Sequence, residues 1–168
     1  MRFYLALLLA LFCFACNNRI NCPKITVDKA LLDSITRTMD TTYSKRYRNK
    51  EFAVAEYYIN RKDTTVCQLM KDSANRIRQI LIAKRDRKIF TAEYFSNGQL
   101  KATLPLDKDG RLNGEGAFYF ESGCVRSKGS FRHGFYFGEW KNFDQNWKNV
   151  STDQYDSNGQ LIKTFQNR

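Results

Sequence analysis

Acid–base chemistry in this chain would have to rest on Glu115 and Glu139, which stand 24 positions apart, each one residue past the second glycine of a Gly-xxx-Gly loop. Paired carboxylates hydrolyse glycosides when one is protonated and the other ionised. Here the pair recurs together with its loop, which marks a structural repeat rather than a catalytic couple. His133 is the single imidazole, and it stands in Arg132-His133-Gly134, a turn-forming tripeptide. No Gly-x-Ser-x-Gly elbow and no phosphate-binding glycine loop is present. One histidine and no Cys-xx-Cys spacing leave the usual zinc ligand set unfilled. The sequence predicts a non-catalytic protein with no metal and no cofactor.

The charge points to binding. Lys and Arg number 28 against 17 Asp and Glu, a net charge of +11 with a pI near 9.6. Lys101, Arg126, Lys128, Arg132 and Lys141, with Lys163, form the candidate basic interaction face. The aromatic and apolar residues Tyr94, Leu100, Tyr119, Val125, Phe131, Trp140, Phe143, Tyr155 and Leu161 are expected on the opposite, hydrophobic side of a sheet. The denser clusters at 45–50 and 84–88 read as solvated faces.

The elements that would position these residues repeat. Tyr94-Phe95-Ser96-Asn97-Gly98-Gln99-Leu100 returns as Tyr119-Phe120-Glu121-Ser122-Gly123-Cys124-Val125 and again as Tyr155-Asp156-Ser157-Asn158-Gly159-Gln160-Leu161. Each copy sets an aromatic residue, a short polar turn ending in Gly, and an apolar residue two steps on. Asn-Gly tolerates the positive φ that a two-residue hairpin turn needs at its centre. A unit of about 24 residues cannot bury a hydrophobic face alone, so neighbouring hairpins must stack or pair edge to edge. Phe143-Asp144-Gln145-Asn146 begins a further copy, but Trp147 stands where the pattern has Gly, which predicts an altered or longer turn. The fold class implied is mainly β, an antiparallel β-meander of hairpin repeats.

The ordered series of aromatic residue, Asn-Gly, apolar residue, Gly-xxx-Gly loop and Glu139-Trp140 resembles the MORN-repeat variant of bacterial proteins, a family that includes the YwqK-type antitoxins. The resemblance covers 92–165. It implies antitoxin-like neutralisation or binding of anionic lipid as alternatives to a protein-interaction scaffold, and the basic face adds polysaccharide to the candidate ligands.

The N-terminal part predicts placement. Met1-Arg2 and the apolar run Phe3–Ala15 are too short to span a bilayer comfortably and read as a signal peptide over 1–15. Cys13-Phe14-Ala15-Cys16 resembles a lipoprotein signal, which implies diacylglycerol attachment at Cys16 and a lipid-anchored chain in the cell envelope; with no acidic cluster after Cys16, the expected place is the periplasm-facing outer membrane. Export removes the case for nucleic acid that the basic charge would otherwise make, and leaves an envelope protein as the expected partner. Residues 16–50 read as a tether with one short helix from Asp28 to Met39, its face carried by Val27, Leu31, Ile35 and Met39 with Leu32 beside them, and a Thr-rich stretch from Thr36 to Thr42 as its end or linker. Residues 51–91 read as a β-rich region, a divergent forerunner of the repeats in 92–165. Within it, 65–84 fits either two strands or one helix face. Cys22, Cys67 and Cys124 remain after processing, and an oxidising compartment permits one disulfide among them.

Overall fold

A computed structural model describes residue 33 and residues 36–48 and 51–167. The signal segment, Cys16 and Cys22 lie outside the described residues. So does most of the expected helix; of its described positions Asp33, Thr36 and Arg37 have helical backbone, whereas Thr38 is in a turn and Met39, expected on the helix face, is not helical. From Thr41 onward the chain is one antiparallel sheet of eleven strands in sequential order. The strands are β1 (Thr41–Arg46), β2 (Val54–Asn60), β3 (Thr65–Lys71), β4 (Ile77–Lys84), β5 (Arg87–Tyr94) and β6 (Leu100–Pro105). They continue as β7 (Gly114–Tyr119), β8 (Val125–Arg132), β9 (Phe135–Phe143), β10 (Asn149–Tyr155) and β11 (Leu161–Gln166). Every strand pairs with its sequence neighbour, as the meander expectation requires. Residues 65–84 are strands, β3 and β4, and not a helix. β1 occupies a stretch that reads as linker in the sequence, because its residues are nearly all polar.

The turns explain the repeat. At Phe95–Gln99 the Gly98 N–H donates to the Phe95 carbonyl (3.0 Å) and the Phe95 N–H to the Gln99 carbonyl (2.8 Å), with Gly98 at φ 82°. This is a three-residue loop, a type I turn followed by a left-handed residue, and not the two-residue turn expected there. The same hydrogen-bond frame begins at Asp72, Phe120 and Asp144, 23, 25 and 24 positions apart in order, all at one end of the sheet. The frame at Asp72 lies within 51–91. Asp72 and Asp144 reinforce their turns, each carboxylate accepting the backbone N–H groups two and four residues on at 2.9–3.0 Å. At the opposite end, frames of the same kind begin at Asp107 and Asp156. Two-residue turns with both φ positive do occur, at Arg85-Asp86 and His133-Gly134 on that opposite end.

Two expectations are corrected here. Trp147 does not alter its turn: it adopts φ 59° and donates its N–H to the Asp144 carbonyl at 3.0 Å, as Gly98 does to Phe95. The Tyr155 copy is half a repeat out of phase, because 24 residues make two strands and Tyr155 stands one and a half units after Tyr119. Its turn therefore sits at the other end, and its ring on the other face.

Residues paired across antiparallel strands share a face, so the register tracks each side of the sheet. On the front face one row runs Leu69, Ile80, Ala92, Thr103, Ala117, Lys128, Lys141, Thr152. It is apolar over β3–β5, and from Thr103 onward every member but Ala117 is polar. The front-face core gathers Cys67, Leu69, Ile80, Ala92, Tyr94, Leu100, Tyr119 and Val125. On the back face of β7–β10 a second cluster forms. Phe131 and Trp140 meet edge to face at 4.9 Å, Tyr136 stands at 90° to Trp140 at 4.5 Å, and Tyr155 stacks on Tyr136 at 5.1 Å. The apolar layer thus changes sides along the sheet, and the expectation that the nine apolar residues mostly fill one side fails, because Phe131, Trp140 and Tyr155 pack on the back. Leu161, one of the nine, is 55% exposed.

Candidate functional site

The change of sides leaves a polar concavity of about 420 Å³ on the front of β7–β9. Its floor is the backbone of Gly116 and Gly129, strand partners whose missing side chains let the back-face rings lie flat on them. A Cβ on Gly116 would stand 2.6 Å from Phe131, and one on Gly129 2.6 Å from Trp140. The Trp140 indole N–H donates to the Ser130 carbonyl at 2.9 Å, which fixes the ring.

The walls carry the chemistry. Glu115 and Ser130 are register partners, and two residues along each strand Ala117 pairs with Lys128, which pairs with Lys141. Glu139 completes the wall on β9. The bulge between Gly129 and Ser130 frees Glu139 from direct pairing with β8, which brings it alongside the Glu115–Ser130 row. Two lysines therefore stand directly opposite one another, with two glutamates about 7 Å away along the strands at 3.3 Å per residue. Among the described residues none of these four charges has an ion-pair partner within 4 Å. Lys128 reaches over the Phe143 ring, 5.9 Å from its centroid.

The predicted basic face is divided between the two sides. Lys128 and Lys141 wall the concavity, and Arg132 shares their side, its guanidinium 3.6 Å from the centroid of Phe137. Lys101 and Arg126 are the extra residues of the bulges at Glu93/Tyr94 and Phe118/Tyr119, and both turn to the back. Lys101 pairs there with Glu93 at 3.0 Å, and Arg126 lies 5.8 Å from the centroid of Phe118. In the sequence Glu115 and Glu139 read as structural, with no ligand placed near them. The signal that would have joined them to Lys128 and Lys141 is their shared parity around two glycines, legible only once the register is known.

The other reactive side chains lie elsewhere. His133 is exposed in its turn, its Nδ1 4.0 Å from the Asp107 carboxylate. Cys67 is a free thiol, fully buried, and burial pushes its pKa up to about 11. Cys124 is disulfide-bonded and buried, so the bond excludes Cys67, and its partner lies outside the described residues. Among the described residues no group of three or more His, Cys, Asp or Glu is placed to hold a metal ion.

No protein-family model matches the sequence, and no curated protein is significantly similar to it. Solved structures with some likeness include the accessory secretory proteins 1, 2 and 3 of Streptococcus pneumoniae, at 15% identity and a TM-score of 0.37 over 56% of this chain and 18% of that one. TarM matches at 16% identity and a TM-score of 0.39 over 86% of this chain. An S. aureus TarM variant in complex with Fondaparinux, alpha-GlcNAc-glycerol and UDP matches at 17% identity and the same score. The chain spans a quarter or less of the length of each. A likeness at this level carries no functional weight.

Proposed function

We propose that this chain is a non-catalytic interaction scaffold, held at a membrane of the cell envelope through an acylated Cys16 and displaying its sheet to an envelope protein. The observation that carries this is the edge strand β11. All six of its residues are exposed, and Leu161 and Ile162 present 55% and 63% of their surface. An edge strand offers a row of backbone donors and acceptors, and apolar side chains beside it add area for a strand supplied by a partner. The test is affinity purification of the full chain from membranes, with and without Ile162→Asp and Phe165→Asp. A partner retained by the wild type and lost by the variant, with membrane anchoring intact, is the expected result. A partner retained equally by both, or none recovered, overturns it.

The alternative of an anionic lipid surface draws on a different observation. The turns at Arg85-Asp86, Asp107–Arg111, His133-Gly134 and Asp156–Gln160 share one end of the sheet and are joined side by side. His133 approaches Asp107, the Gly134 N–H donates to the Leu112 carbonyl at 2.8 Å, and Gly159 packs under Phe135. This rim sets Arg85, Arg87, Lys88 and Lys108 among the exposed Ile89 (42%) and Phe135 (57%). Cations interleaved with apolar groups suit a headgroup interface. Flotation of the unlipidated Cys16→Ser chain with phosphatidylserine vesicles tests it, and no enrichment at physiological salt removes it.

A further inference from the structure

We infer that the front-face concavity of β7–β9 is a binding site for an acidic saccharide, whose carboxylate or similar anion sits between Lys128 and Lys141 while its hydroxyls donate to Glu115 and Glu139. The inference stands apart from the β11 edge and does not depend on it.

Lys128 and Lys141 are cross-strand partners, and like charges directly opposite destabilise a sheet. A carboxylate opposite either lysine would relieve the pair. Here the neighbours in the same row are Ala117 and Thr152, and among the described residues no carboxylate lies within 4 Å of either lysine. An anionic ligand would supply the missing counter-charge through charge-assisted hydrogen bonds.

The rest of the site selects the class of anion. Glu115 and Glu139, unpaired among the described residues, repel a bare anion and accept hydrogen bonds only from a ligand that also carries donors. A sugar acid has both, with hydroxyls disposed around a ring a few ångströms from its carboxylate. Ser130 and Thr103, both on the lining, add hydroxyls that donate or accept. The floor is glycine backbone, and no large apolar side chain lines the concavity to hold one from a peptide. A flat polar ligand fits such a floor better than an acidic peptide does.

The experiment is titration of the full chain in neutral detergent micelles with trigalacturonate, read by calorimetry, with maltotriose as the uncharged control and tetra-aspartate as the acidic peptide. Trigalacturonate alone is expected to bind. Lys128→Gln and Lys141→Gln should each weaken it about tenfold, as loss of a charge-assisted hydrogen bond does. Glu115→Gln with Glu139→Gln should also weaken it severalfold, although this change makes the protein more positive. Arg85→Gln with Lys88→Gln, which removes two positive charges from the rim, should leave it unchanged. Circular dichroism of each variant checks that the sheet is intact, and all of these side chains are on the surface. Binding that tightens in the double Glu variant, or falls equally in the rim variant, is attraction to a basic protein and overturns the site. Equal binding of tetra-aspartate overturns the saccharide class, and no binding of trigalacturonate at millimolar concentration overturns both.

Discussion

Trp140 lies flat across Gly129, its partner on the adjacent strand, so closely that a methyl group on Gly129 would stand 2.6 Å from three atoms of the indole. The contact holds the back-face cluster against the sheet and makes the floor of the front-face concavity. Gly129→Ala is expected to destabilise the fold by about 1–3 kcal/mol, the usual cost of overpacking. In a Trp140→Leu background the same substitution should cost at least about 1 kcal/mol less, because the ring it collides with is gone. Urea unfolding monitored by circular dichroism measures the cycle. Equal costs in the two backgrounds would show that backbone conformation, and not the ring, requires the glycine.

Much of the fold was legible because its turns demand unusual backbone. Asn97-Gly98, Ser122-Gly123 and Asn158-Gly159 announce positive φ in the sequence, and each is a turn with its glycine at φ 79–87°. Alternation alone could not supply the face on which each side chain lands. Bulges insert Arg78, Ile89, Lys101, Arg126, Val150 and Ile162 singly, and Gly138 with Glu139 as a pair, and each single insertion reverses the parity of the residues after it. Arg126 and Lys128 are two apart and look like neighbours on one side, yet one stands over Phe118 on the back and the other over Phe143 on the front. The candidate site depends on that parity, so its residues were visible singly and not as a group.

Trp147 shows that turn chemistry and turn geometry separate. Held at φ 59°, it bears the left-handed penalty of roughly 1 kcal/mol, and its stacking on Phe143 (6.1 Å, 17°) offsets this by a similar amount. Trp147→Gly should therefore leave stability within about 1 kcal/mol of wild type, whereas Trp147→Gly made in Phe143→Ala should be stabilising. Thermal unfolding of the four proteins gives the comparison. A large loss from Trp147→Gly alone would mean that the stacking outweighs the backbone cost.

Cys67 sits at full burial beside Leu69 and Tyr94 in the front-face core, and desolvation raises its pKa from 9.0 to about 11. The thiolate is the reactive form, so at pH 8 its population falls about a hundredfold against an exposed cysteine. Alkylation by iodoacetamide should be at least that slow in the folded chain and become fast in urea. The folded pKa lies above the unfolded one, so this group's stability contribution is full below about pH 9 and is lost as pH rises toward 11. Cys67→Val should flatten that alkaline loss. A thiol that reacts at pH 8 as fast as a free peptide would contradict the buried placement.

Asp72 anchors the first turn of the repeat series and is the one buried charged side chain of the described residues. Its Oδ1 accepts the Ala74 and Arg76 N–H groups at 3.0 Å, and its Oδ2 meets the Arg76 Nε at 2.9 Å and the Arg78 guanidinium at 3.6 Å. The backbone hydrogen bond from Arg76 leads in holding the carboxyl below the ordinary range, helped by the Arg76 guanidinium, while desolvation opposes both. A depressed folded pKa means that the stabilisation is complete above about pH 4, the unfolded value, and disappears as pH falls through the folded one. Asp72→Asn keeps an acceptor for the turn but drops the charge. The gap in urea midpoint between wild type and Asp72→Asn should be widest at pH 7 and should close on acidification below about pH 4. A gap that persists unchanged at low pH would assign the role of Asp72 to the shape of the turn and not to its charge.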